Sequence, residues 1–450
     1  MKNNKVLIII GIVFLNLLVV YMVGQSLLGK TSQYEQTIAK ARSYAEEELC
    51  SKSIEKYNEA ILTKDTVELR LEMIDVYEKG IDIGEFTNTY DVFLSVTTMV
   101  DIYSEENIVY EAACELFMKY GKYEDCAKVL MKARDFHVTS EKIEEYRNQV
   151  RYQYTEYFAM YTDIQPLFDG MYLVETDGKF TYLNDECTPE IESEFTYASS
   201  FSEGYAFVKG IHPDGTEKSF VINKDGMRQA YLDGVEASSG VGKAKNKSGD
   251  DILLLACQTD GKYQYFDING NKCLDEYVFA GRFRNNVAAV QESEGKWKLI
   301  DGTGKAITDK TFSDVILNEF DECAPKGLII AKEKDEYHIY DLEAKKIGDF
   351  ACDDAKAFVD KYAAFKNGEK WGFVDSEGKV IIEAQYEDAK SFSNNMGAVK
   401  TGDVWQFISP KNEIAIQDTF EEVDYLSDKG ICFVKMDGYW SYLKMYYTGE

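Results

Sequence analysis

Asp267, Asp301 and Asp375 each stand four residues after an aromatic residue and three before a glycine. Carboxylates repeated in this way could gather a calcium ion or supply an acid and a base. Calcium is disfavoured, because no D-x-D-x-D-G loop ends in a bidentate Glu. The recurrence in successive units points instead to turn closure, with Asp accepting local N–H groups and Gly supplying a positive φ. His137, His212 and His338 are isolated and form no HExxH pair, so they read as structural or surface residues. Trp297, Trp371, Trp405 and Trp440 could form a sugar-stacking ladder, but their common register favours packing between units. Neither a G-x-S-x-G elbow nor a phosphate-binding glycine loop occurs. The sequence therefore offers no catalytic, cofactor-binding or metal residues, and the chain reads as a protein that is not an enzyme.

The elements that hold these residues must divide a chain of 450 residues, too long for one ordinary core. Lys and Arg number 50 against 79 Asp and Glu, a net charge of −29 that repels phosphate backbones, so no nucleic acid is expected as a partner. The charge is spread over both soluble parts, with −12 in residues 31–165 and −20 in residues 166–450. Nine scattered cysteines contain no CxxC pair, and most sit in apolar stretches such as Leu254-Leu255-Ala256-Cys257, where a buried free thiol behaves as a small hydrophobe. Free thiols suit a reducing or anaerobic exterior better than an oxidising one.

Residues 6–24 form an apolar run long enough, at about 1.5 Å per residue, to cross a hydrocarbon core as a helix. Lys2 and Lys5 precede it, so residues 1–5 are expected as a cytoplasmic tail, with everything after the run outside the cytoplasm. Val23-Gly24-Gln25-Ser26 is a poor cleavage site, and no Cys follows the run directly, so an uncleaved single-pass anchor in the cell membrane is expected rather than a signal peptide or a lipoprotein.

From residue 31 to about 160 the chain is free of proline and has helical periodicity, with breaks near Cys50, Lys64, Gly80 to Gly84, Ser104, Gly121 and Val138. Asp65, Ser104 and Thr139 are the expected N-caps. Ala112, Ala113, Phe117 and Tyr120, followed by Gly121, Tyr123, Cys126 and Ala127, resemble a tetratricopeptide repeat, with weaker units at 31–64 and 65–103 and a capping helix at 139–160. The repeat's usual Trp and terminal Pro are absent. The resemblance implies a short helical array that binds peptides or proteins, and the plain alternative is a stalk.

Beyond Gln165 an aromatic four residues before a turn residue recurs, with looser members, at 180, 219, 263, 297, 337, 371, 405 and 440. Each unit reads as a strand, a tight turn, the aromatic strand, an Asp-x-x-Gly turn and two further strands, the size of one propeller blade. Lys370-Trp371-Gly372-Phe373-Val374-Asp375-Ser376-Glu377-Gly378-Lys379 closely resembles the bacterial WG-repeat (KWG-like) family, although elsewhere the second residue is Lys298, Gln406, Ser441, His338 or Gln264. That resemblance implies an all-β, usually non-catalytic interaction module over 166–450, with about eight units. Residues 161–170 resemble the end of a repeat, so a blade built from both ends is expected to close the array into a ring. Residues 238–249, rich in Ser, Gly and Lys, read as a flexible inserted loop, neutral or suited to an acidic group.

The expected architecture is α+β and multidomain: a membrane helix, a tetratricopeptide-like segment over 31–160, and an all-β repeat domain of the propeller kind over 166–450. The expected function is a membrane-anchored scaffold that binds a protein or an envelope glycan and needs no cofactor. A propeller hydrolase or lyase, or a structural spacer in an envelope complex, are the alternatives.

Overall fold

The computed structural model describes residues 33–447; the tail at 1–5 and the apolar run at 6–24 lie outside the described residues. Among the described residues no helix is long and apolar enough to cross a membrane. The chain divides into two compact units, Met1–Arg151 and Tyr152–Glu450.

The first unit is helical. Residues 33–46 (α1) precede α2 (Cys50–Thr63), α3 (Val67–Asp82), α4 (Tyr90–Ile102), α5 (Asn107–Lys119), α6 (Tyr123–Asp135) and α7 (Glu141–Val150). They form the three expected pairs and a single last helix. Small residues let α5 and α6 approach: Ala113, Cys114, Cys126, Ala127 and Ala133 are all fully buried. Gly80 is needed inside α3, because a Cβ there would stand 2.2 Å from the Phe86 ring.

Helix starts differ from expectation by one or two residues. Thr66 caps α3 by accepting from Leu69 N (3.3 Å), and Ser140 caps α7 by accepting from Ile143 N (3.2 Å). Asp65 instead pairs with Arg70, at 2.8 and 2.6 Å. Glu106, not Ser104, precedes α5, with no side-chain cap. The capping helix expected to run to 160 ends at Val150, and Tyr154–Tyr161 is a strand of the second unit. Tyr154, Tyr157, Phe158 and Tyr161 recur at i, i+3, i+4 and i+7, the helical spacing, and pairing with Tyr439–Met445 is what makes the segment a strand.

The second unit is an eight-bladed β-propeller. Blades 1 to 7 span Asp163–Phe195, Tyr197–Tyr231, Ala237–Tyr277, Phe279–Ile300, Asp314–Tyr340, Asp354–Tyr386 and Asp388–Phe420. Blade 8 takes three strands from Glu422–Met445 and its outer strand from Tyr154–Tyr161, in the antiparallel register Tyr154↔Met445 to Tyr161↔Trp440. The ring therefore closes through both ends of the unit. The closing strand lies upstream of the expected one, since Asp163–Phe168 is the inner strand of blade 1. Blades 4 and 5 have three regular strands each, their outer segments held by isolated bridges such as Trp297↔Phe312 and Tyr337↔Cys352.

Each recurring aromatic opens the third strand of a blade and packs toward the next. Trp371, with Phe373 and Ile382 of blade 6, meets Ala389, Phe392 and Val399 of blade 7. The Gly of the Trp-Gly pair has a specific cause. A Cβ on Gly372 would stand 2.5 Å from Ile382 O, where the fourth strand shifts register against the third.

Residues 238–249 are not an inserted loop. Ala237–Lys245 is the inner strand of blade 3, paired with Asp251–Thr259. A Cβ on Gly242 would meet Phe283 N at 2.5 Å, so a composition that looks flexible serves close packing around the axis. Lys243 and Lys245 both pair with Asp251, at 2.8 and 2.5 Å.

Candidate functional site

The turn carboxylates act locally. Asp267 Oδ1 accepts from Asn269 N and Asn271 N, both at 2.9 Å, and Asp375 Oδ1 accepts from Glu377 N and Lys379 N at 3.0 and 2.9 Å. Asp301 and Asp341 do the same, as do Asn184, Asn223 and Ser409 in the looser units. Each oxygen replaces a missing ladder partner for two N–H groups, so these residues shape hairpins and do not converge. His338 Nδ1 lies 2.8 Å from Phe350 O inside a blade, and His212 Nδ1 lies 3.3 Å from Asp214. Trp371, Trp405 and Trp440 are buried, and Trp297 is half-buried against Phe279 at 5.5 Å. No sugar-stacking ladder is displayed by the four. All nine cysteines are free and only Cys273 is exposed; burial pushes the thiols of Cys257, Cys323 and Cys352 up to about 12.

What converges is the ends of the inner strands. They surround an axial pocket of about 750 Å³ lined from blades 1, 2, 4, 5, 6, 7 and 8. Blades 1 and 5 are opposite in an eight-membered ring, yet Phe168 and Phe320 meet across the axis with ring centroids 4.4 Å apart. Arg282 of blade 4 lies over both rings, at 4.5 and 5.0 Å, with its side chain fully buried. Its Nε stands 3.4 Å from Glu322 Oε1, and Glu322 is 1% exposed. Burial pulls the Arg282 guanidinium down from its ordinary value, with Glu322 and Asp321 opposing. Phe168, Phe320 and Glu322 of this cluster also line the pocket.

Arg282 stands outside the repeated turns and tryptophans, yet the sequence carries a signal for it. Inner strands share an Ala-x-x-Phe pattern in Ala198 to Phe201, Ala280 to Phe283, Ala355 to Phe358 and Ala389 to Phe392. Before the Phe stand Ser200, Ala357 and Ser391, but Arg282 in blade 4. A cation at a position that otherwise holds a small residue marks the axis.

Bonds between neighbouring blades pin the rim. Ser393 Oγ donates to Leu426 O (2.5 Å), Asn394 Nδ2 to Ser427 O (3.1 Å) and Asn285 Nδ2 to Ala324 O (2.9 Å). Gly204 N donates to Asp169 Oδ2 at 2.7 Å. These bonds tie the blades together around the mouth.

Beside the pocket, Asp424 is almost fully buried and its carboxyl is pushed up to about 6. Burial is the main cause; Glu319 and Asp163 add to it, and Lys390, 3.9 Å away, opposes it. In the unfolded chain this carboxyl titrates near 3.9, so the folded protein holds the proton more tightly. Its contribution to stability is full below about pH 4 and is lost as pH rises through about 6. Asp424→Asn is expected to remove that slope, a difference on the order of 2 kcal/mol between pH 4 and 7. Urea unfolding at a series of pH values checks it, and parallel curves for the two proteins would refute the assignment.

Comparison with known proteins agrees with the repeat register. Residues 188–209, 265–297, 371–405 and 407–440 match the description "WG containing repeat". Four stretches of the propeller are WG containing repeats. The last two run from the aromatic strand of one blade toward that of the next. No curated protein matches the chain. Among solved structures, BamB from Moraxella catarrhalis is 12% identical, with a TM-score of 0.40, covering 65% of this chain and 100% of its own. The WD40 domain of SCAP from fission yeast is 9% identical, with a TM-score of 0.41, covering 65% of this chain and 94% of its own.

Proposed function

We propose that this WG-repeat protein is a non-catalytic scaffold that receives a protein partner at the mouth of the axial pocket. Residues 6–24 anchor it in the cell membrane, and both folded units lie outside the cytoplasm. The observation that carries the reading is the pocket itself: seven blades contribute to one concave mouth of about 750 Å³, pinned by bonds between blades. Preorganised concave sites lose little conformational entropy on binding, which is what a recognition surface requires. An envelope glycan is the weaker occupant, because three tryptophans are buried within blades and Arg282 covers the Phe168 and Phe320 rings.

Site-specific photocrosslinking in the native membrane tests the proposal. A crosslinker in place of Lys326, an exposed residue at the mouth, is expected to trap one discrete protein partner. The same group in place of Lys272, exposed on the outer strand of blade 3, is expected to trap none. Capture at Lys272 with none at Lys326 would move the interaction off the axis and overturn the reading.

A further inference from the structure

We propose that the mouth of the axial pocket docks a basic peptide segment, an extended stretch presenting several Lys or Arg side chains. This rests on the mouth being the partner site and adds the chemistry of the partner. Three of the carboxylates that line the pocket are already engaged. Asp169 holds Lys224 (2.8 Å) and Gly204 N (2.7 Å), Glu319 lies beside Tyr425, whose hydroxyl is pushed up by burial and by the Glu319 charge, and Glu322 faces Arg282. Three more, Glu203, Asp360 and Asp428, have no ion pair or side-chain hydrogen bond among the described residues. They come from blades 2, 6 and 8, so they are spaced around the ring rather than bunched.

The nearby cations do not neutralise them. Arg284 lies over the Phe168 ring at 5.6 Å, Lys429 reaches out to Asp185 at 3.4 Å, and Lys243, whose charge Glu203 feels, is held by Asp251 at 2.8 Å. Among the described residues Arg284 and Lys326 are the lining cations without an ion pair, against six lining carboxylates. Among the described residues no three His, Cys, Asp or Glu side chains come close enough to hold a metal ion. The carboxylates therefore suit separate positive charges spread along a chain.

Glu322 lines the pocket at 1% exposure as half of a buried ion pair: Arg282 Nε stands 3.4 Å from its Oε1, and Asn318 Nδ2 donates to its Oε2 at 3.0 Å. Its charge is met from within the ring, which leaves Glu203, Asp360 and Asp428 as the carboxylates open to a partner. Pro166, Leu167, Val359 and Leu426 separate the acidic positions and supply the apolar contacts that a peptide, but not a bare polyamine, would use. The net charge of −20 over residues 166–450 steers a basic segment toward the mouth and repels an acidic one.

The test uses the full chain and a short fluorescent peptide of Gly, Ser and Leu carrying several Lys, read by anisotropy at low and high salt. The Lys peptide should bind with an affinity that falls as salt rises, while peptides with Glu or Gln in place of Lys should not. Asp360→Asn together with Asp428→Asn should weaken binding about tenfold and leave the melting midpoint unchanged. Asp275→Asn with Glu276→Gln, on the outer strand of blade 3, should change nothing. Equal loss in both double variants would mean attraction to net charge alone, and spermidine binding as tightly as the peptide would mean a small polyamine site; either overturns the proposal. Absence of peptide binding, with a partner still trapped at Lys326, would sink the basic-peptide chemistry and leave the mouth as the partner site.

Discussion

Deleting residues 430–450 is expected to unfold the whole propeller, not one blade of it. Those residues supply two strands of blade 8, and with them the side chains of Ile431, Phe433 and Trp440, which pack against Ile164, Tyr172, Val174 and Leu183 of blade 1. Each large apolar side chain withdrawn from such a core costs about 1.5–3 kcal/mol, so the loss approaches the roughly 5–15 kcal/mol that holds a typical domain together. The edges it exposes lie on both neighbours, since blade 8 joins blade 7 to blade 1. Deleting Tyr154–Tyr161 should act in the same direction, because it strips the closing strand from the other end. All four tryptophans lie in this unit, so their fluorescence reports it selectively, and three survive the 430–450 deletion. Both truncated chains should lose the parent's denaturant midpoint in one transition. An unchanged midpoint with only reduced amplitude would mean an open array in which each repeat leans on its neighbours alone.

Trp371→Ala is expected to cost about 3–5 kcal/mol, the range for emptying a large aromatic site in a core. Trp371 is 7% exposed, and its cluster spans blades 6 and 7 through Phe373, Ile382, Phe392 and Val399. The Lys356 ammonium lies 4.8 Å over its ring and also pairs with Asp388 of blade 7 at 2.7 Å, so the substitution removes apolar contact and a cation–π partner together. Chemical unfolding measures the loss. A variant as stable as the parent but unable to bind its partner would make Trp371 a ligand-stacking residue instead.

The repeat, its period and the chemistry of its turns were legible because each is written locally. An Asp or Asn that accepts two N–H groups within four residues needs no distant contact, and a glycine with positive φ, such as Gly378 at 85°, is forced by the turn alone. The three helical pairs were legible for the same reason, through apolar periodicity and breaks. N-caps slipped by a residue or two, because several polar residues stand at each helix start and only the folded geometry chooses among them.

Residues far apart in the chain wrote no such local mark. Tyr154–Tyr161 looked like the tail of a helix because its strand partner, Tyr439–Met445, lies almost at the other end of the protein. The Ser- and Gly-rich stretch at 238–249 looked flexible because glycine signals freedom in a loop and close approach in a packed strand with the same letter. Closure around the axis then brought Phe168 to Phe320, set Arg282 on their faces, and arranged Glu203, Asp360 and Asp428 around one mouth. Seven of the eight blades are written locally, because each is built from one continuous stretch of chain, whereas blade 8 joins Tyr154–Tyr161 to Glu422–Met445. The candidate site belongs to the ring, since its residues become neighbours only when the last blade meets the first.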